Sequence, residues 1–208
     1  MSFLDSLLIG MSIGAVPGPI FFELTRRTLA KGFWHGFLLA VGEFFSNFIL
    51  ILLTFFSLSA VLTSTFAKEL MLLFGAGVLL YVGLDALRYK PNENNEISGK
   101  DWTKSNSVIV GFVIGITNPV VLALWISLGG AHLAQSPASV SLFIDIVLMA
   151  LGVALFFLFM AAFLHLVRKK ISLTHVAAMS KIAGVIIIFY GLYFLYQFAL
   201  LSFGSVTS

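Results

Sequence analysis

The chain has 208 residues, 60% of them hydrophobic and 10% charged, against about 25% charged in an ordinary globular domain. So little polar surface cannot cover a water-soluble fold, and the bilayer is the expected solvent. Cysteine is absent and the net charge is +3; disulfides, thiolate metal sites and thiol redox chemistry are excluded, and a nucleic-acid partner has no support.

Six apolar segments are read in chain order, at roughly 3–24, 35–60, 69–89, 106–133, 139–166 and 178–202. Each can cross the ~30 Å hydrocarbon core as a helix rising 1.5 Å per residue. Continuous runs such as VIIIFYGLYFLYQFALL (185–201) argue for helices, since barrel strands would alternate over about ten residues. The expected fold is an all-α polytopic membrane protein. Asp5 stands where a secretory leader would be basic, and no small-residue cleavage site follows, so the first segment is expected to be a span.

The first span contains Pro17, Gly18 and Pro19, about 15 residues in, or ~22 Å at helical rise. A proline in a helix interior costs roughly 3 kcal/mol. Broken backbone at membrane depth survives only when buried in protein or lining a wet cavity. The second span carries Glu43, ~14 Å deep from its basic end. An acid at that depth costs at least ~2.5 kcal/mol on insertion scales and usually faces an interior pathway. Gly36, Ala40, Glu43 and Asn47 share one helical face, a small or polar stripe among phenylalanines and leucines. Glu23 precedes Arg26 and Arg27, and Asp85 precedes Arg88, at spacings that suit local ion pairs at the inner rim.

The polar segment KPNENNEISGKDWTKSN (90–106) reads as a solvated tether. Beyond it, the fourth span is interrupted by Asn118-Pro119, about 12 residues in, or ~18 Å. Asp145 lies on the fifth span, and the interval from Pro119 to Asp145 equals that from Pro17 to Glu43. The two acids are therefore expected at related depths. Ten of the twelve Lys and Arg fall after spans one, three and five or just inside them, which places both termini outside. Trp34, Trp102 and the tyrosines suit interface anchoring.

Two internal echoes suggest a repeat. Gly10 and Gly14 match Gly111 and Gly115, and AGVLLYVGLDAL (76–87) matches AGVIIIFYGLYFL (183–195). Residues 1–208 are expected to form one membrane domain: repeat 1 over about 1–89, a cytoplasmic loop over about 90–105, and repeat 2 over about 106–208. Three spans is an odd number, so the halves would be inverted, a design common in secondary transporters. His35, His132, His165 and His175 are scattered, so no metal site is expected. No catalytic or phosphate-cradling motif is visible, so neither an enzyme nor a bound cofactor is expected.

Four features together, PGP (17–19), KGFWHG (31–36), a glycine-spaced second helix and TNP (117–119), resemble the lysine exporter (LysE) translocator family, which includes homoserine and threonine exporters. The resemblance implies a six-helix inner-membrane exporter of amino acids or related small solutes. It also implies protons as the coupling ion and an oligomer, often a dimer. The family's second helix typically has Gly-Asp where this chain has Ser46-Asn47; Glu43, one turn earlier, can supply a carboxylate. Pro17, Gly18, Pro19, Asn118 and Pro119 would open the backbone around the solute. Glu43, with Asn47 and Asp145, would bind its ammonium group or carry the proton. A metal-ion exporter and a non-transporting scaffold or accessory subunit remain the alternatives.

Overall fold

The computed structural model describes residues 2–55, 64–89, 104–133 and 140–203, and among them every regular element is an α-helix. In chain order these are α1 (Phe3–Gly14), α2 (Pro19–Lys31), α3 (Phe33–Phe55), α4 (Thr65–Leu87), α5 (Lys104–Ile116), α6 (Pro119–Leu133), α7 (Val140–Arg168) and α8 (Leu173–Phe203). Four of them, α3, α4, α7 and α8, are each long and apolar enough to cross a membrane. Two further candidates are bent pairs: α1 and α2 meet at 79°, and α5 and α6 at 62°. Most of the polar tether (90–103) lies outside the described residues, and α5 begins inside its expected end.

Local chemistry sets the ends. Ser2 and Asp5 form a capping box on α1, satisfying two amides that a helix start leaves without partners. Ser64 accepts from the Ala67 amide at 3.3 Å and caps α4. Both α2 and α6 open on a proline, Pro19 and Pro119, where the missing N–H costs nothing and the fixed φ suits a first turn. One residue, Gly32, joins α2 to α3 with φ +93°, a conformation that strains any residue with a Cβ. The first segment thus runs on to Lys31, past its expected end near 24, because the turn sits at Gly32.

Between helices in lipid, expulsion of water does not drive association, so close packing carries the energy. The most extensive helix pairings are α4 with α8, α3 with α5, and α1 with α7. Glycines permit them. A Cβ on Gly10 would strike the Met149 backbone, and one on Gly111 the Leu39 backbone. The main core gathers Leu24, Leu39, Leu79, Phe157, Ile187 and Phe194, whereas Val185, Phe189, Tyr196 and Phe203 of α8 point outward.

One polar cluster is sealed inside. Glu23 is fully buried, with Arg26 and Arg27 at 1% and 2% exposure. Arg26 donates to Glu23 at 2.8 Å through Nε and Nη2, and Arg27 Nε donates to Glu23 Oε1 at 2.5 Å. Arg27 Nη1 also donates to Ser107 Oγ at 2.9 Å. The pairing of Glu23 follows from its spacing, but the cluster is buried rather than exposed at a rim. Asp85 departs from expectation: it pairs with Arg26 across the α2–α4 contact at 3.3 Å, not with Arg88.

Candidate functional site

The two breaks face one cavity. At the first, the Val16 amide bonds back to Ile13 and helical bonding resumes with Phe22 N–H donating to Gly18 O. Pro17 and Pro19 have no amide hydrogens, so the interruption leaves few donors to satisfy. The Pro17 carbonyl accepts from Tyr190 Oη of α8 at 3.1 Å. At the second break, Asn118 Oδ1 accepts from the Val120 amide at 3.0 Å and caps α6.

Between them lies a cavity of about 330 Å³, at the small end of the range for ligand sites. Part of its polar wall comes from Glu43 and Asn47 of α3 and Trp125 of α6. Glu43, Asn47 and Trp125 are 4%, 1% and 1% exposed. Trp125 Nε1 donates to Asn47 Oδ1 at 3.1 Å, and Asn47 Nδ2 donates to Glu43 Oε1 at 2.6 Å. An indole can only donate, so it fixes which end of the Asn47 amide faces Glu43. The second oxygen, Glu43 Oε2, is buried and has no hydrogen-bond partner among the described residues. A buried carboxylate oxygen left bare is costly, and a ligand cation or a proton would remove that cost.

Six of the residues singled out from sequence line this cavity: Pro17, Gly18, Pro19, Glu43, Asn47 and Asn118. Pro119 does not. It borders an adjoining cavity that also touches Lys68 and shares Val120, Tyr193 and Phe194 with the first. Asp145 borders neither; it accepts from Ser6 Oγ at 2.9 Å, on the α1–α7 contact. Helix α7 instead brings Val153 and Phe157 to the cavity.

Sequence reasoning missed the aromatic part of the wall. Tyr190 and Tyr193 line the cavity, although tyrosines in such a chain suit the membrane interface. Trp125 also lines it, two helical turns beyond Asn118 and so on the same face. That seven-residue interval was the available signal.

The chain is 28% identical over 200 residues to a Bacillus subtilis (strain 168) protein described as "Putative amino acid efflux protein YcgF", covering 94% of this chain and 95% of that one. No solved structure gives a significant match. A family model described as LysE type translocator matches residues 11–198, and the chain belongs to that family.

Proposed function

We propose that the protein is a secondary active exporter of amino acids or related small solutes across the inner membrane, coupled to protons and working by alternating access. The observation that carries this reading is Glu43, which lines a cavity between two broken helices and whose carboxyl group holds a bare buried oxygen, Oε2. Intramembrane acids of this kind mark substrate or proton pathways. The relative's description as an amino acid efflux protein points to the same class of solute.

In this reading the bent pairs each make one span, giving six, arranged as two inverted three-helix repeats with both termini outside. The glycine contacts support the repeat. Gly10 lies against Met149, and Gly111 against Leu39; 111 follows 10 by 101 residues and 149 follows 39 by 110. The same two offsets relate Gly14 against Phe156 to Gly115 against Ser46, and Gly152 against Leu7 to Gly42 against Val108. Under these offsets Glu43 corresponds to Val153, and Asn47 to Phe157.

The cavity adjoins the space near Lys68, on the side with few basic residues. The buried Glu23–Arg26–Arg27–Asp85 cluster lies on the opposite, basic side. That arrangement fits a conformer closed toward the cytoplasm, and rocking of the halves would break the Arg27–Ser107 hydrogen bond that joins them on opening. The metal-ion alternative gains nothing here: among the described residues no three of His, Cys, Asp and Glu converge. The test is efflux from liposomes holding the purified protein and labelled amino acids, with and without a pH gradient. Gradient-accelerated amino acid efflux is expected; flux of metal ions alone would overturn the reading.

A further inference from the structure

We infer that the cavity takes a neutral α-amino acid with an apolar side chain, bound as its zwitterion, its ammonium at Glu43 and its carboxylate over Gly18 at the start of α2. The inference rests on the export reading and narrows it to one substrate class.

Charge comes first. Phenols aside, Glu43 is the one ionisable side chain on the cavity wall among the described residues. A buried charge needs a partner. The ammonium of an amino acid finds one in the Glu43 carboxyl group, which lines the cavity and whose Oε2 has no hydrogen-bond partner among the described residues. A second cation on the solute would require a second acid on the wall, and Asp145 is elsewhere. An anionic side chain would require a base, and Lys68 borders only the adjoining cavity.

The solute's carboxylate needs donors, and the two breaks differ in what they offer. At α6 the Asn118 side chain already accepts from the Val120 amide. At α2 no side chain caps Gly18, and the first helical bond comes from Phe22. The amides of Ile20 and Phe21 therefore precede any helical acceptor, at the end of a helix that attracts anions. Both Gly18 and Ile20 line the cavity.

Gly18 itself supplies an independent sign. Its φ of −145° is extended backbone open to any residue. A Cβ added there would meet no atom within 4 Å. Neither conformation nor protein packing calls for glycine at this position, in contrast to Gly10 or Gly32. What glycine does provide is unobstructed space above the helix start, through which a carboxylate can approach the backbone. The remaining wall suits an aliphatic side chain: Val121, Leu124, Val153 and Phe157 all border the same volume.

The experiment is competition for labelled leucine exchange in liposomes holding the full chain. The competitors are leucine, leucinamide (no carboxylate), 2-hydroxy-4-methylpentanoate (no ammonium), lysine and aspartate. Leucine is expected to compete best. Each analogue lacking one end should be weaker by roughly tenfold to a hundredfold, the range for one hydrogen bond to a charged group. Gly18→Ala should insert and melt like the wild type yet lose its discrimination between leucine and leucinamide, because the methyl group fills the carboxylate's place. Leucinamide competing as well as leucine, or Gly18→Ala keeping wild-type discrimination, would overturn the assignment. Preferred exchange of lysine or aspartate would overturn the substrate class while leaving amino acid export standing. If no amino acid exchanges at all, the export reading falls and this inference falls with it.

Discussion

Trp125 and Asn47 are 78 residues apart in the chain and joined by a buried hydrogen bond of 3.1 Å that ties α6 to α3. The bond sets the Asn47 amide so that its nitrogen faces Glu43. Trp125→Phe keeps the bulk of the ring and removes the donor. The expected cost is about 1 kcal/mol in stability and roughly a fivefold rise in KM with kcat little changed, since the loss loosens the site without touching the solute. Thermal unfolding in detergent and concentration-dependent uptake measure the two effects. An unchanged KM would reduce the bond to a packing detail.

Glu43→Gln retains shape and hydrogen bonding but cannot titrate or balance a cation. The variant should insert normally and lose transport driven by a pH gradient. Glu43→Asp should fall between it and the wild type, its charge one methylene short of its place. Asp145→Asn should transport within about twofold of the wild type, because Asn still accepts from Ser6 and the position lies off the cavity. Flux in liposomes under an imposed pH gradient separates the three. Wild-type accumulation by Glu43→Gln would remove Glu43 from the coupling step.

Pro119→Ala and Pro17→Ala each restore an amide donor at a break. The bends of 79° and 62° should relax toward continuous helices and narrow the cavity. Normal insertion with transport reduced by roughly tenfold is expected, equivalent to about 1.4 kcal/mol. Wild-type rates from both variants would mean that the prolines only shape packing.

Glu23 pairs with two buried arginines and supplies one of the two negative charges of their cluster. Glu23→Gln leaves a buried positive charge uncompensated, and breaking a buried ion pair from one side typically costs about 4 kcal/mol. Low yield and a lowered melting temperature are expected. Asp85 is 21% exposed, so Asp85→Asn should be tolerated structurally while loosening Arg26 and, through the shared Glu23, the Arg27–Ser107 contact that joins the halves on the basic side. A cysteine at Ser107, beside Arg27, reports on this: thiol reagents should reach it faster in the Asp85→Asn background. Equal labelling rates would disconnect the pair from gating.

Orientation is checked with single cysteines at Ser2, Lys100 and Ser205 of this cysteine-free chain. An impermeant thiol reagent on intact cells should label the two terminal positions and spare Lys100. The reverse pattern would invert the topology.

The helices and both breaks were legible in the sequence because lipid leaves so few options: long apolar runs must be helical, and PGP or NP at depth must interrupt them. Glu43 and Asn47 were legible for the same reason, as polar positions on one face of an apolar helix. Asp145 misled. Equal intervals from the two prolines assumed equal connections, but the contact offset grows from 101 to 110 between the first and second spans of each proposed half. Measured from the prolines, whose offset is 102, eight additional residues put Val153, not Asp145, at the place of Glu43 in the pattern. Asp85 misled differently: spacing rules see Arg88 three residues on, whereas its partner is Arg26, 59 residues back. Tertiary contacts of that kind leave no periodic trace.

A cavity wall with one carboxyl group has a thermodynamic consequence. In the proposed export cycle a proton and a solute ammonium would compete for that one carboxyl group, so each crossing would carry one or the other and the exchange would be one for one. Since a zwitterion is neutral overall, the returning proton would move a full elementary charge inward. The membrane voltage would then contribute to export alongside the pH difference, at about 2.3 kcal/mol per 100 mV. That is roughly a fiftyfold outward gradient, generated even when the pH is equal on the two sides.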